Sequence, residues 1–481
     1  MYLGLDIGTS GVKAVLMDGD QVILASAHAD LTVSRPYPGW SEQAPDDWWR
    51  AVETALDQLK STHGAALSAV TGIGLSGQMH GATLLDADDR PLRPALLWND
   101  GRASAECAHL GARADFEGTT GNILMAGFTA PKVEWVRTHE PDVFAATRTI
   151  LLPKDYVRLR LTGDKASDMS DSSGTSWLDV AARSWSSALL EASRLTDAHM
   201  PALFEGTAPT GTLRPALASR WGMSGAPVVA GGGGDNAASA CGMGTLSSGS
   251  AFASIGTSGV LFVSNAAFLP NTAGAVHAFC HAVPETWHQM GVILSAADSL
   301  TWLSEITGRS AADLTGQLTG RIDGPGRLTF LPYLSGERTP INDAGARGSF
   351  VGLDRSASVE DLTQAVLEGV AFAFADSRDV LRAAGTTFDS VTAIGGGARS
   401  DVWLQIMANA LDMPVHVPED GDFGAAFGAA RLGMVAATGA DPAAICTPPA
   451  IAHTVLPKQV DDYATAHARY KALYPAIKEV S

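Results

Sequence analysis

Ile7-Gly-Thr-Ser-Gly-Val12 returns unchanged as Ile255-Gly-Thr-Ser-Gly-Val260, 248 positions further along a chain of 481 residues. Each copy lies near the start of one half. A β-prone run leads into each (2–7; 251–255) and another leaves it (12–17; 260–263), so each reads as strand, tight glycine turn, strand. Glycine lets backbone N–H groups approach a ligand closely, and the Thr and Ser hydroxyls add short donors, which suits phosphate oxygens. Two such turns facing each other would grip a polyphosphate from both sides. The copies differ just before the repeat, where Asp6 precedes the first and Ser254 the second. A carboxylate at a strand end beside a phosphate turn is where hydrated Mg²⁺ is held. The duplication therefore reads as functionally asymmetric, with the metal charge managed by the first half.

Length and repeat together predict two domains of about equal size, 1–244 and 245–481, with a linker near 242–249 where small residues cluster. A hydrophobic content of 46% is ample for two cores. The net charge of −18, with no long basic run, argues against nucleic acid or an anionic membrane as partner. Four scattered cysteines without a CxxC pair read as reduced thiols. With no signal-like start and no long apolar run, a soluble cytoplasmic protein is expected.

Strand-rich openings followed by strand–helix alternation predict an α/β sheet in each half. In the first, strands at 2–7, 12–18 and about 21–27 precede an amphipathic helix opening at Pro45, with Trp49, Val52, Leu56 and Leu59 along one face. Gly72-Ile-Gly-Leu-Ser-Gly77 matches GxGxxG but lies in a strand-like run with no helix after it, so no dinucleotide site is expected there. No Walker A motif is present, since no Lys follows a Gly. His277-Ala-Phe-Cys-His281 with His288 lacks a second ligand pair at zinc spacing and reads as a loop with ordinary polar packing.

The run Gly231-Gly-Gly-Gly-Asp-Asn236 is sharper. A strand ends at Ala230, four glycines open a turn, and Asp235 projects at the start of a small-residue helix. Capping alone needs no glycine run, so Asp235 is the candidate base for a substrate hydroxyl. Gly395-Gly-Gly-Ala-Arg-Ser400 repeats the theme without a carboxylate, and its backbone suits a nucleoside or phosphate at a helix start. Gln78-Met-His80 and Trp98-Asn-Asp-Gly-Arg102 each follow a probable strand and offer the donors, acceptors and ring of a polyol pocket.

Together with Trp40–Gln43, Pro153–Tyr156, Ser335–Pro340 and the longer segments 127–139 and 348–368, these motifs resemble the FGGY carbohydrate kinases over nearly the whole chain. The resemblance implies two actin-like (RNase H-like) domains with a central interdomain cleft. It also implies transfer of the ATP γ-phosphoryl group to a sugar, with the 78–80 and 98–102 segments pointing to D-xylulose. Another ketose or polyol, or a non-kinase actin-like ATPase or regulator, stays open as an alternative. Residue by residue, the resemblance makes Asp235 the general base and puts Met79, His80, Trp98, Asp100, Arg102 and Asn236 around the sugar. It puts Asp6 on Mg²⁺ through water, and Thr9, Ser10, Lys13, Gly256, Thr257, Gly395, Gly396, Gly397, Ser400 and Asn409 on the nucleotide. A homodimer is suggested, and the last helix is expected to pack back on the first domain.

Overall fold

The computed structural model describes every residue except Arg321, Asp420, Asp422, Val480 and Ser481. In the first half, β1 (Tyr2–Ile7), β2 (Gly11–Met17) and β3 (Ile23–Asp30) form an antiparallel meander. On the other side of β1 lie β4 (Gly72–Gly77) and β6 (Val228–Ala230), both parallel, and then β5 (Pro209–Thr212), antiparallel. Alternation along β1 sends Leu3, Leu5 and Ile7 to the face covered by α1 (Pro45–Ser68), whose Trp49, Val52, Leu56 and Leu59 are buried there. Tyr2 and Gly4 face the other way.

The second half repeats the plan. β8 (Ala251–Ile255) pairs antiparallel with β9 (Gly259–Asn265), which pairs with β11 (Trp287–Ile293). Beyond β8 come β12 (Val391–Ile394) and β13 (Val415–Pro418), parallel, and β14 (Ile451–Val455), antiparallel. Reading from β3 in the first sheet and from β11 in the second gives the same sequence of two antiparallel, two parallel and one antiparallel pairing, and the second sheet carries one more antiparallel strand beyond β11. The two hexapeptide turns therefore occupy equivalent corners, β1–β2 and β8–β9.

Three expectations need correction. His277–Cys280 is a strand, β10, paired with β11 at the sheet edge rather than a loop. Its side chains are buried on both faces, so the period-two signal of a half-exposed strand is missing. Among the described residues these histidines do not converge into a metal-ligand group.

The other two concern the division of the chain. The last helix, Val460–Ile477, stays in the second half, where Tyr470 meets Tyr333 at 3.1 Å and His467 meets Asp376 at 2.7 Å. The helix Ala425–Thr438 is the one that crosses back, so residues 245–481 do not pack as one block. It lies on the Gly4 face of the first sheet so closely that a Cβ at Gly74 would stand 1.7 Å from the Ala429 carbonyl oxygen, and one at Gly4 1.9 Å from that of Ala426. Small residues on both surfaces permit that approach.

Candidate active site

The carboxyl ends of the parallel strands in the first sheet meet at one edge, the usual place for a ligand in such sheets. Asp6 near the end of β1 stands in register with Ser76 of β4, and Ser76 with Gly233 of the two-residue strand β7 (Gly233–Gly234). Asp6 and the residue after β7, Asp235, are thus about two strand spacings apart, roughly 10 Å between backbones. Lys13 is the register partner of Asp6 on β2.

Asp235 opens the helix α2 (Asp235–Met243). Its Oδ1 accepts from the Asn236 backbone N–H at 2.8 Å and the Asn236 side-chain amide at 3.0 Å. Burial, and then the charge of Asp6, push its pKa up to about 6, against the lowering pull of Asn236. A carboxylate so placed is ionised at neutral pH and basic enough to take a hydroxyl proton.

The glycine run before it is required by close packing. A Cβ on Gly231 would meet the Glu205 carbonyl oxygen at 2.2 Å, and one on Gly232 the Leu75 carbonyl oxygen at 2.1 Å. The run is also braced from below. Gly234 N–H donates to Ser170 Oγ at 3.1 Å, and Ser170 in turn donates to Asp168. Arg158 donates to the carbonyls of Ala230 and Gly231. Beneath lies a fully buried charge cluster in which Lys154 Nζ stands 2.7 Å from Asp155 and Asp168 and 3.1 Å from Asp171. Burial opposes the Lys154 ammonium, but the three carboxylates outweigh it and raise its pKa.

Met79 and His80 follow β4 directly. Met79 is buried against Gly234, and His80 holds a left-handed backbone with φ +70°. That conformation is uncommon for a non-glycine residue and is held in place by its surroundings. The His80 carbonyl accepts from Thr129 Oγ1 and from the buried Lys132 Nζ, each at 3.0 Å, and its ring stacks on Phe128 with centroids 4.4 Å apart. His80 Nδ1 lies 2.7 Å from the Gly174 carbonyl oxygen. A carbonyl only accepts, so Nδ1 carries the proton. Burial, followed by the Lys132 charge, lowers the pKa to about 3. The ring is therefore neutral, and Nε2 is left as an acceptor for a hydroxyl.

The remaining first-half candidates divide. Thr9 Oγ1 donates to Gln78 Oε1 at 3.1 Å and accepts from Trp98 Nε1 at 3.0 Å, while Ser10 stays exposed at the turn tip. Trp98 is 40% exposed and stands over this turn. Asp100 and Arg102 are committed elsewhere. They pair at 2.7 Å, Asp100 also accepts from Ser41 N–H, and Arg102 reaches Glu42 at 2.7 Å while lying 3.5 Å over the Trp40 ring. Both side chains are buried and ion-paired, so they shape the pocket wall instead of projecting from it.

At the second corner, the carbonyls of Gly256 and Thr257 accept from Ala297 and Ala296 N–H, setting the start of the helix Ala297–Thr307 over the turn. β8 and β12 run parallel in register Ser254 to Ile394, which sets Gly395–Gly397 directly beside Ile255 and Gly256. Gly396 has open space around it, and Ser400 Oγ caps the helix Asp401–Leu411. Asn409 does not belong with this group. It lies nine residues along that helix, about 13 Å away at 1.5 Å per residue, and its Oδ1 accepts from Lys458 N–H at 2.9 Å.

Sequence reasoning assigned no roles to Lys132, Arg158 or Ser170. Each acts on a backbone group more than fifty positions distant, and no local spacing records that.

Comparison with known proteins bears on this arrangement. The profile of the FGGY carbohydrate kinase N-terminal domain matches residues 1–242, and that of the C-terminal domain matches 251–437. The chain is 50% identical to a xylulose kinase of Escherichia coli (strain K12), covering 91% of this chain and 90% of that one. It is 35% identical to a xylulose kinase of Bacillus subtilis (strain 168), over 100% and 97% of the two chains. The crystal structure of a xyloylose kinase from Brucella ovis superposes with a TM-score of 0.98 at 58% identity, covering both chains fully. With a family profile on each half and both repeated corners built alike, this chain belongs to the FGGY family of carbohydrate kinases.

Proposed function

We propose that this carbohydrate kinase transfers the γ-phosphoryl group of ATP to the primary hydroxyl of D-xylulose, giving D-xylulose 5-phosphate. The observation that carries the reading is Asp235, a carboxylate of raised pKa that follows Gly234, against which Met79 packs, at the carboxyl ends of the first sheet's parallel strands. Relatives that share half of the sequence are xylulose kinases.

Phosphoryl transfer relies on positioning and on neutralising charge around the transferred group. His80 Nε2 accepts from a sugar hydroxyl and orients the ketose. Asp235 takes the proton of the attacking hydroxyl. The glycine turns 8–11 and 256–259 supply backbone N–H groups to phosphate oxygens, and Gly395–Ser400 borders the nucleoside.

Asp6 fits a Mg²⁺ site, because after burial it is the Asp6 charge that raises the Asp235 pKa, so two carboxylates act on each other here. A bound Mg²⁺ supplies positive charge to the phosphates there. Among the described residues no helix is long and apolar enough to cross a membrane.

The test is ADP release with Mg-ATP across a ketose and polyol panel with a no-sugar blank. Strong stimulation by D-xylulose is expected. Turnover only with another sugar would move the specificity, and a flat panel would overturn the kinase reading. Asp235→Ala should fold yet lose about 10²–10⁴-fold in kcat.

A further inference from the structure

Most buried arginines of this protein are held by several partners at once, although Arg102 Nη1 and Arg158 Nε make no hydrogen bond. Arg158 donates to Thr210, Ala230 and Gly231, and Arg431 to Gln21, Cys241, Gly242 and Thr447. Arg102 is paired with Asp100 and Glu42. Arg338, partly buried, makes a single long contact of 3.4 Å to His277 Nε2 and, among the described residues, no ion pair. The neighbouring carboxylate is turned away, since Glu337 Oε1 accepts from the N–H groups of Leu294 and Arg338. A guanidinium carries five donors and no acceptor, and those of Arg338 that lack a protein partner are not enclosed by protein, so they stay open to a ligand.

The backbone under Arg338 is fixed. Thr339 exchanges hydrogen bonds with Val292 at 3.0 and 3.1 Å and donates to the Ala275 carbonyl at 3.0 Å. The side chain meets a row of rings that crosses between the halves. His277 lies 5.6 Å from Phe128, and Phe128 stacks on His80. Arg338 thus stands at one end of the row and His80, with its free Nε2 acceptor, at the other.

Electrostatics agree with that placement. Burial first, and the Arg338 charge after it, hold His277 well below the usual imidazole range. The same charge reaches His80, behind burial and Lys132. Asp235 feels Asp6 instead.

We infer that Arg338 is the second half's share of the sugar site, donating to hydroxyl or carbonyl oxygens at the end of the ketose remote from Asp235. This rests on the ketose kinase reading. A strong donor opposite a neutral imidazole acceptor, with apolar Phe128 and Met79 alongside, matches an α-hydroxy ketone, which offers a carbonyl to one and an O–H to the other. Bound sugar would then touch both halves, linking its recognition to their approach.

Arg338→Met and Arg338→Lys test this in steady-state kinetics with D-xylulose and 1-deoxy-D-xylulose. Arg338→Met should raise the sugar KM about 10–100-fold, the range expected for lost hydrogen bonds to a charged donor. The KM for ATP should move less than about threefold, and the preference for xylulose over its 1-deoxy analogue should shrink. Arg338→Lys keeps the charge but not the fork, so a smaller rise in sugar KM is expected. If Arg338→Met fails to fold, Arg338→Lys decides alone. Unchanged sugar KM in a folded variant overturns the inference, whether kcat is normal or lowered. Lowered kcat alone would put the guanidinium on the transferred phosphoryl group. Absence of sugar-stimulated ADP release in the unaltered protein would instead remove the kinase reading itself.

Discussion

At the scale of residues, burial does the same thing to two carboxyls with opposite consequences. Asp235, with pKa about 6, must be ionised to act as base, so kcat/KM for the sugar should fall as pH drops through about 6. An acid limb near the ordinary aspartate value, or one that survives in Asp235→Ala, would remove it from that role. Glu337 is 2% exposed, and burial raises its pKa to about 8, against the lowering effect of its N–H donors. Its folded pKa lies above the unfolded value, so the folded chain keeps a proton that the unfolded chain releases. The associated stability is full below the glutamate range and is lost as pH rises through about 8. Glu337→Gln keeps an oxygen for the Leu294 and Arg338 N–H groups, and should unfold with a flatter pH dependence between about pH 5 and 9. Equal slopes in chemical denaturation would contradict this. Asp235 was legible because four glycines in a row signal a backbone packed too closely for side chains, and the carboxylate that follows is delivered to a set place. Arg338 was not, because its meaning lies in donors left unused, which only the surroundings reveal.

At the scale of elements, the helix Ala425–Thr438 has an unreadable destination in the sequence. A surface of Gly and Ala fits closely against any flat backbone, and composition does not say which. The structure puts Gly428 against Ala238 of the helix that begins at Asp235, where an added Cβ would come 1.7 Å from a carbonyl oxygen. Gly428→Ala should therefore destabilise by about 1–3 kcal/mol or more, by forcing the two helices apart. Since that neighbour carries Asp235, the proposed base, kcat should drop as well. Thermal unfolding beside kinetics checks both, and an unperturbed Tm would show that the contact yields freely. The strand His277–Cys280 illustrates the converse error. Histidines look polar in sequence, yet His277 is a neutral core residue stacked on Phe279, and His288 on the neighbouring strand stacks on Phe262.

At the scale of the whole molecule, the duplicated plan was readable from one repeated hexapeptide, because two identical turns demand equivalent surroundings. Matching corners, and the proposed contact of the sugar with both halves, predict compaction on binding. The radius of gyration in small-angle scattering should decrease with D-xylulose plus a non-hydrolysable ATP analogue, and identical profiles in all ligand states would argue against closure. The duplication is not clean, however, since the helix Ala425–Thr438 covers the first sheet although it is encoded late in the second half. A nascent chain that has emerged as far as Met243 has every strand of that sheet but lacks the layer for one of its faces. At ordinary translation speeds of about 5–20 residues per second, the missing helix arrives roughly 10–40 s later. During that interval the ribosome carries a half-made domain whose bare sheet surface stays open to misplaced contacts until the covering helix is made.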